Sequence, residues 1–505
     1  MPVWAPRRPG PGPVLNWRFP LQAIVLAGLL MIPIFAWTGF YEPLPLKQLA
    51  LDHPDKWASA AAGTTAAILL AAPLLWVLQS RTVDIFALFL SQNALLVAGY
   101  FFLHTTAFRL NGLGDAIERA GPLVVMINAG GFAVLLLSMG LTYIAAARSH
   151  ARLGPLPAAP AVCDARLIWL LRVSGLAVAA VLAFPMALSG KIPLLAEDAA
   201  QARFAMIQSD AARAAYHAGT AILPFITGGL LMFIIRRPIR ILGLDGWVVG
   251  AILAIQVLTS NRLPIAITLF VTLSLVTLEM RWPRALLLIA FSGFFLGFTF
   301  LTGFSSILRQ DRGQLDQGNL LESSLSEAFL GDNLIDVRDA SWVLSKWNYE
   351  PLMGRTYLGG LTAMLPSGVF PMKKEWHLGI TAIRIVGWDP EEHFGLRITF
   401  FGEAFINFGP AGVVGLALIL GCLFGTLLRT LHLVAAKRPP CLHSSLRVVM
   451  LMQMCLPLTN TSDAFTFWAI LAFLLLEWAY VDALLPRGDA GGRAGFPDPL
   501  CLPSR

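Results

Sequence analysis

The sequence predicts an all-α polytopic membrane protein of about twelve transmembrane helices, with one long extracytoplasmic loop subdomain between the ninth and tenth. Three observations carry that prediction. Hydrophobic residues make up 56% of the 505 and charged residues only 13%, against about 25% charged in soluble domains. Mean hydropathy is correspondingly high, at +0.68. Apolar windows of roughly 20 residues, long enough to cross about 30 Å of hydrocarbon as a helix, recur along the chain. Finally, Arg and Lys gather in alternate connections, as cytoplasmic loops require.

Taken in order, residues 1–19 are rich in Pro, Gly and Arg without an apolar period, and read as a disordered cytoplasmic N-terminus. Nine spans follow within 20–303, at about 20–40, 58–79, 83–106, 122–147, 166–189, 217–236, 246–260, 262–280 and 285–303. The first is too long for a signal-peptide core and lacks a small-x-small cleavage site, so it reads as a retained helix. Residues 304–397 form the long periplasmic loop, and three more spans lie within 398–485, at about 408–432, 445–459 and 464–484. The seventh and eleventh are short and carry Gln256, Gln453 and Pro457, features of a broken or re-entrant element. Residues 486–505 read as a disordered cytoplasmic tail. No internal repeat of the kind found in secondary carriers is visible.

The cationic ends are Arg7, Arg8 and Arg18, then Arg81, then Arg148, Arg152 and Arg166, then Arg236, Arg237 and Arg240, then Arg281 and Arg284, then Arg429, Lys437, Arg438 and Arg447. These set both termini in the cytoplasm. The formal net charge of +7 follows from those clusters and calls for no nucleic-acid partner. Cys163 and Cys441 fall in inner loops, Cys422 and Cys455 in helices and Cys501 in the tail, which argues against a structural disulfide. No His spacing suits a metal.

A structureless loop as long as 304–397 is unusual, so it reads as functional. An amphipathic helix is predicted through SEAFLGDNLIDVRDASWVLSKW, and Trp342, Trp347, Trp376 and Trp388 suit a subdomain at the lipid headgroup level. Four stretches then carry a resemblance. GKIPLLAEDAAQARF, SNRLPIAITLFVTL, YLGGLTAMLPSGVFPMKK and GEAFINFGPAGVVG, in this order and spacing, resemble the Wzy-type oligosaccharide repeat-unit polymerases over roughly residues 185–430. The chain departs from that pattern at Pro366-Ser367, where members often have Pro-Arg. The Arg-x10-Gly spacing described for outer loops of this family occurs at Arg384–Gly395, but also at Arg119–Gly130 as chance allows.

The resemblance implies a membrane glycosyltransferase without metal, nucleotide or other cofactor. It would join undecaprenyl-diphosphate-linked oligosaccharides into O-antigen, capsule or exopolysaccharide among membrane lipids, with a chain-length regulator and a flippase as partners. Chemistry points to the residues. A sugar on a polyprenyl diphosphate already carries its leaving group, so the enzyme needs cations to hold it, and the planar fork of Arg grips diphosphate at two points. A carboxylate or imidazole must take the proton of the attacking hydroxyl. Glu403, Arg384, Arg397 and His393 are the catalytic candidates; Arg262, Arg203, Arg309, Arg312 and Asn407 are the substrate-binding ones. Glu403 and Asn407 stand one helical turn apart and are expected to face a cavity closed by the long loop. For Glu403 the competing role is to cap a helix; for Gly409, Gly412, Gly415, Gly421 and Gly425 the expected role is close helix packing. An O-antigen ligase, a flippase or exporter, and a non-catalytic export scaffold are the rival functions.

Overall fold

The computed structural model describes residues 114–150, 164–196, 210–236, 241–259, 262–279, 335–362, 368–373, 375–389 and 398–437, with shorter pieces and single positions such as Val77, Leu396, Leu446 and Ser462. The described residues are 86% helical, without strands. Among them nine α-helices run α1 (Gly114–His150), α2 (Asp164–Ser189), α3 (Asp210–Arg236), α4 (Leu244–Leu258), α5 (Arg262–Glu279), α6 (Ile335–Lys346), α7 (Arg355–Thr362), α8 (Leu378–Val386) and α9 (Phe400–Lys437). Short 3-10 turns occupy Pro193–Leu195 and Pro371–Lys373.

Among the described residues, three segments are long and apolar enough to cross a membrane: Met126–Ala146 in α1, Leu167–Ser189 in α2 and Phe400–Arg429 in α9. Ile222–Arg236, Leu244–Leu258 and Ile267–Leu278 are shorter apolar helices. The chain is thus a helical membrane protein. The fourth to eighth and the tenth expected spans coincide with α1 to α5 and α9. The first, third and twelfth lie outside the described residues, as do most of the second, ninth and eleventh. The short seventh span is a continuous helix, α4, with Gln256 fully buried on its inner side. The helix that carries the tenth expected span begins two turns earlier, at Phe400, because those first turns are enclosed by protein and tolerate Glu403 and Asn407.

Small residues bring α1 and α9 together. A Cβ on Gly421 would meet Ser138 Oγ at 1.8 Å and the Leu135 carbonyl at 2.6 Å, and one on Gly425 would meet the Met139 carbonyl at 2.5 Å. Phe401 covers Gly131 in the same way and meets Phe132 edge to face, with ring centroids 5.0 Å apart. The expected packing role thus holds at Gly421 and Gly425, whereas a Cβ on Gly415 meets nothing within 4 Å. On the other side, α2, α3, α4 and α5 pack mutually. Arg172 of α2 donates to Asp245 in the first turn of α4 at 2.6 Å, an ion pair whose acid is almost fully buried.

The long loop folds back onto this frame. Ala340, Val343, Leu344 and Trp347, at i, i+3, i+4 and i+7, are all buried, so α6 presents one apolar stripe, which packs against α1 and α8. This is the predicted amphipathic helix from Ile335 onward; residues 326–334 lie outside the described residues.

Candidate functional site

The site starts at the end of α9. Thr399 precedes the helix, and its Oγ1 accepts the Gly402 N–H at 3.1 Å, an N-cap that satisfies one of the free amides of the first turn. Asn128 of α1 donates to the same oxygen at 3.1 Å and to the Val124 carbonyl at 2.7 Å, tying the cap to the neighbouring helix. Two turns later the helix breaks. Gly409 has φ 66° and ψ −156°, a region open essentially to glycine alone, and Pro410 follows without an N–H to give. Gly409 is therefore a hinge in the backbone rather than a packing glycine.

That break leaves carbonyls without helical partners, and the loop supplies them. Leu352 N–H donates to the Ile406 carbonyl and Met353 N–H to the Asn407 carbonyl, each at 3.0 Å. Tyr349 (φ 61°), Met353 (φ 52°) and Gly354 (φ 82°) make the turns that lay this segment across the helix end.

Side chains then lock the contact. Glu403 and Asn407 are both fully buried. Asn407 Nδ2 donates to Thr356 Oγ1 at 2.7 Å, and Thr356 passes its own proton toward Glu403 Oε1 at 2.6 Å. Ser462 N–H donates to Glu403 Oε2 at 2.7 Å, and Asn407 also holds the Glu403 carbonyl at 2.9 Å. Every donor in this chain points toward the carboxylate, as an ionised glutamate requires. Burial, reinforced by the Glu403 charge, pushes the neighbouring Tyr357 hydroxyl well above its ordinary range. Glu403 and Asn407 do share a face, as their spacing predicts, but that face meets α7 of the long loop instead of an open cavity.

The cavity lies on the other side of the loop segment. It holds about 460 Å³ and is lined by Lys346, Trp347, Arg355, Glu375, Trp376 and Arg384, among others, a size ordinary for a ligand site. Its walls are fixed. Trp347 donates from Nε1 to the Glu350 carbonyl at 3.1 Å and meets Phe405 of α9 edge to face, with ring centroids 5.8 Å apart. Gly359 of α7 lies so close to the Trp376 carbonyl that a Cβ would stand 2.5 Å from it. Arg384 sits in the last turn of α8, which Gly387 closes in the left-handed region (φ 88°), with its N–H on the Arg384 carbonyl and Trp388 N–H on the Ile383 carbonyl.

Of the predicted residues, Arg384 lines this cavity, while Glu403 and Asn407 lie behind it, in the tie that carries α7. Arg262 begins α5. Arg397, His393, Arg203, Arg309 and Arg312 lie outside the described residues. Lys346, Arg355 and Glu375 complete the cavity without having been singled out. The signal was present: Arg355 stands two residues before the run YLGGLTAMLPSGVFPMKK, and Glu375 directly after it. Thr356, Tyr357, Ser462 and Asn128 carry no local signal that separates them from neighbours.

No family model, curated protein or solved structure matches the chain. Its chemistry therefore rests on the residues themselves. Three cations and one carboxylate line the cavity, with buried Trp347 and half-buried Trp376 in its wall. Arginine suits phosphate oxygens, the ring of Trp376 offers an apolar face to a sugar, and the carboxylate can accept a proton.

Proposed function

We propose that this protein is a membrane glycosyltransferase that polymerises oligosaccharide repeat units carried on a polyprenyl diphosphate, at the outer face of a bacterial inner membrane. The observation that supports this reading is the cavity of Lys346, Arg355, Arg384, Glu375, Trp347 and Trp376, docked on the break in a helix long enough to span a membrane. Arg355 and Arg384 would hold the diphosphate, Trp376 the sugar ring, and Glu375 would take the proton of the attacking hydroxyl. Glu403 then acts through position: by holding Thr356 it sets Arg355, the next residue, at the cavity wall.

The test is complementation of a deletion strain, reading glycan length on gels. Each charge-assisted hydrogen bond lost from the diphosphate is worth about 1.5–3 kcal/mol, so Arg384→Ala and Arg355→Ala are each expected to slow polymerisation roughly ten- to a hundredfold. Arg→Lys should restore only part, since a point charge lacks the two-pronged contact. Single repeat units should persist on the lipid carrier. Loss of even those units would point to flipping, and wild-type chain length in both alanine variants would refute the assignment.

A further inference from the structure

Residues 356–372 contain no charged side chain and are flanked by Arg355 on one side and Lys373 and Lys374 on the other. Within that stretch Leu358, Leu361, Leu365, Val369 and Met372 are all exposed, Val369 by 69% and Leu361 by 58%. Thr356, Gly359 and Gly360 on the opposite side of α7 are buried against the protein. The exposed residues form one patch, because α7 packs on the Pro371–Lys373 turn and Lys373 Nζ donates back to the Leu365 carbonyl.

Depth comes from α9. Every residue from Phe400 to Asn407 is buried in protein, whereas beyond the break Val414, Leu418, Ile419 and Leu423 are exposed apolar side chains along the helix. From Gly409 to Arg429 the helix rises about 31 Å at ~1.5 Å per residue, which matches about 30 Å of hydrocarbon. The hydrocarbon boundary therefore falls at the break. The stretch is bonded to that same point through Leu352 and Met353, and Tyr357 stacks on Phe408, rings parallel and 6.2 Å apart. Its apolar patch is thus continuous with the lipid-facing side of a spanning helix.

The geometry points to the bilayer itself as the partner of this patch: Leu358, Leu361, Leu365, Val369 and Met372 lie in the interfacial layer of the leaflet at the N-terminal end of α9, their apolar side chains among the upper acyl segments and Arg355 and Lys373 at the phosphates. Such segments bury an apolar face about 5–10 Å deep. The cavity is thereby held at headgroup height. This conclusion does not depend on the enzymatic reading, since its test needs no substrate.

The full chain, with its five native cysteines replaced by serine, carries a single environment-sensitive fluorophore at Leu361→Cys, Val369→Cys or, as a solvent control, Asp389→Cys. Each variant is reconstituted in phosphatidylcholine–phosphatidylglycerol nanodiscs and quenched by aqueous iodide, by lipids with a shallow acyl nitroxide, or by lipids with a deep one. Positions 361 and 369 are expected to lose iodide quenching and to respond more to the shallow than to the deep nitroxide, while 389 responds to iodide. Met372→Cys gives the same reading if either variant fails to fold. Iodide quenching at 361 and 369 equal to that at 389 would overturn the inference. So would protection from all three quenchers, which would mean that a protein surface covers the patch.

Discussion

Replacing Thr356 by valine removes one hydroxyl and keeps the shape of the side chain. That hydroxyl makes two bonds, donating to Glu403 Oε1 at 2.6 Å and accepting from Asn407 Nδ2 at 2.7 Å, in a place where Thr356, Glu403 and Asn407 are all fully buried. The bond to the carboxylate is worth about 1.5–3 kcal/mol and the neutral one about 0.5–1.5 kcal/mol. Some is regained because Ser462 N–H still serves Glu403 and Asn407 still holds the Glu403 carbonyl. A net cost of about 2–4 kcal/mol falls on the docking of α7, or roughly a thirtyfold to a thousandfold larger population of the undocked state. Amide hydrogen exchange reads it directly, because the N–H groups of Leu352 and Met353 are bonded to α9 only while the segment is docked. Both should exchange faster by that factor in Thr356→Val, Thr356→Ser should restore most of the protection, and amides in the middle of α1 should not change. Wild-type exchange at Leu352 and Met353 in Thr356→Val would show that the backbone bonds alone hold the loop, and the positioning role of Glu403 would fall with it.

Other outcomes follow from the same geometry. Gly421→Ala should separate α9 from α1 and destabilise the protein by about 1–3 kcal/mol or more, because the added carbon meets Ser138 and the Leu135 backbone, whereas Gly415→Ala meets nothing and should be neutral in a detergent thermal-melt assay. Asp245→Ala leaves Arg172 unpaired and should cost about 3 kcal/mol, reduced by the partial exposure of the arginine, while replacing both partners with leucine should recover most of it. Tyr357 is held protonated by burial and by Glu403. Its folded-state pKa is raised above the unfolded one, so its contribution to stability is present below about pH 10 and is lost as pH rises past that value. Tyr357→Phe should flatten that alkaline fall in an unfolding titration.

The legible parts of this molecule were those whose cause is local. Helices α1 to α5 follow from runs of apolar residues, and the shared face of Glu403 and Asn407 follows from a spacing of one turn. An apolar window locates the lipid-facing part of α9 but not its first two turns, because it discounts Glu403 and Asn407 and reads Gly409-Pro410 as a beginning when it is an interior break. Thr399, the residue type that caps helices, marked the true start. The cavity was half legible: Arg384 was singled out, but Lys346, Arg355 and Glu375 join it only because three short helices, α6 to α8, fold over one another. Thr356 and Ser462 lie 47 and 59 residues from Glu403. No periodicity links positions so far apart; only the path of the chain does.

The break at Gly409-Pro410 has a consequence for how the loop is free to vary. Leu352 and Met353 reach α9 through their amides, and an amide is the same on every residue except proline. Registration of the loop on the membrane helix therefore asks nothing of the exposed side chain at 353, whereas Leu352 also packs on the core; proline is barred at both, and glycine or asparagine is welcome at 353, where φ is 52°. Loops of different composition, shaped for different ligands, can be exchanged on such a seat without redesigning the helix beneath, provided that two consecutive amides arrive where the helix has left two carbonyls waiting.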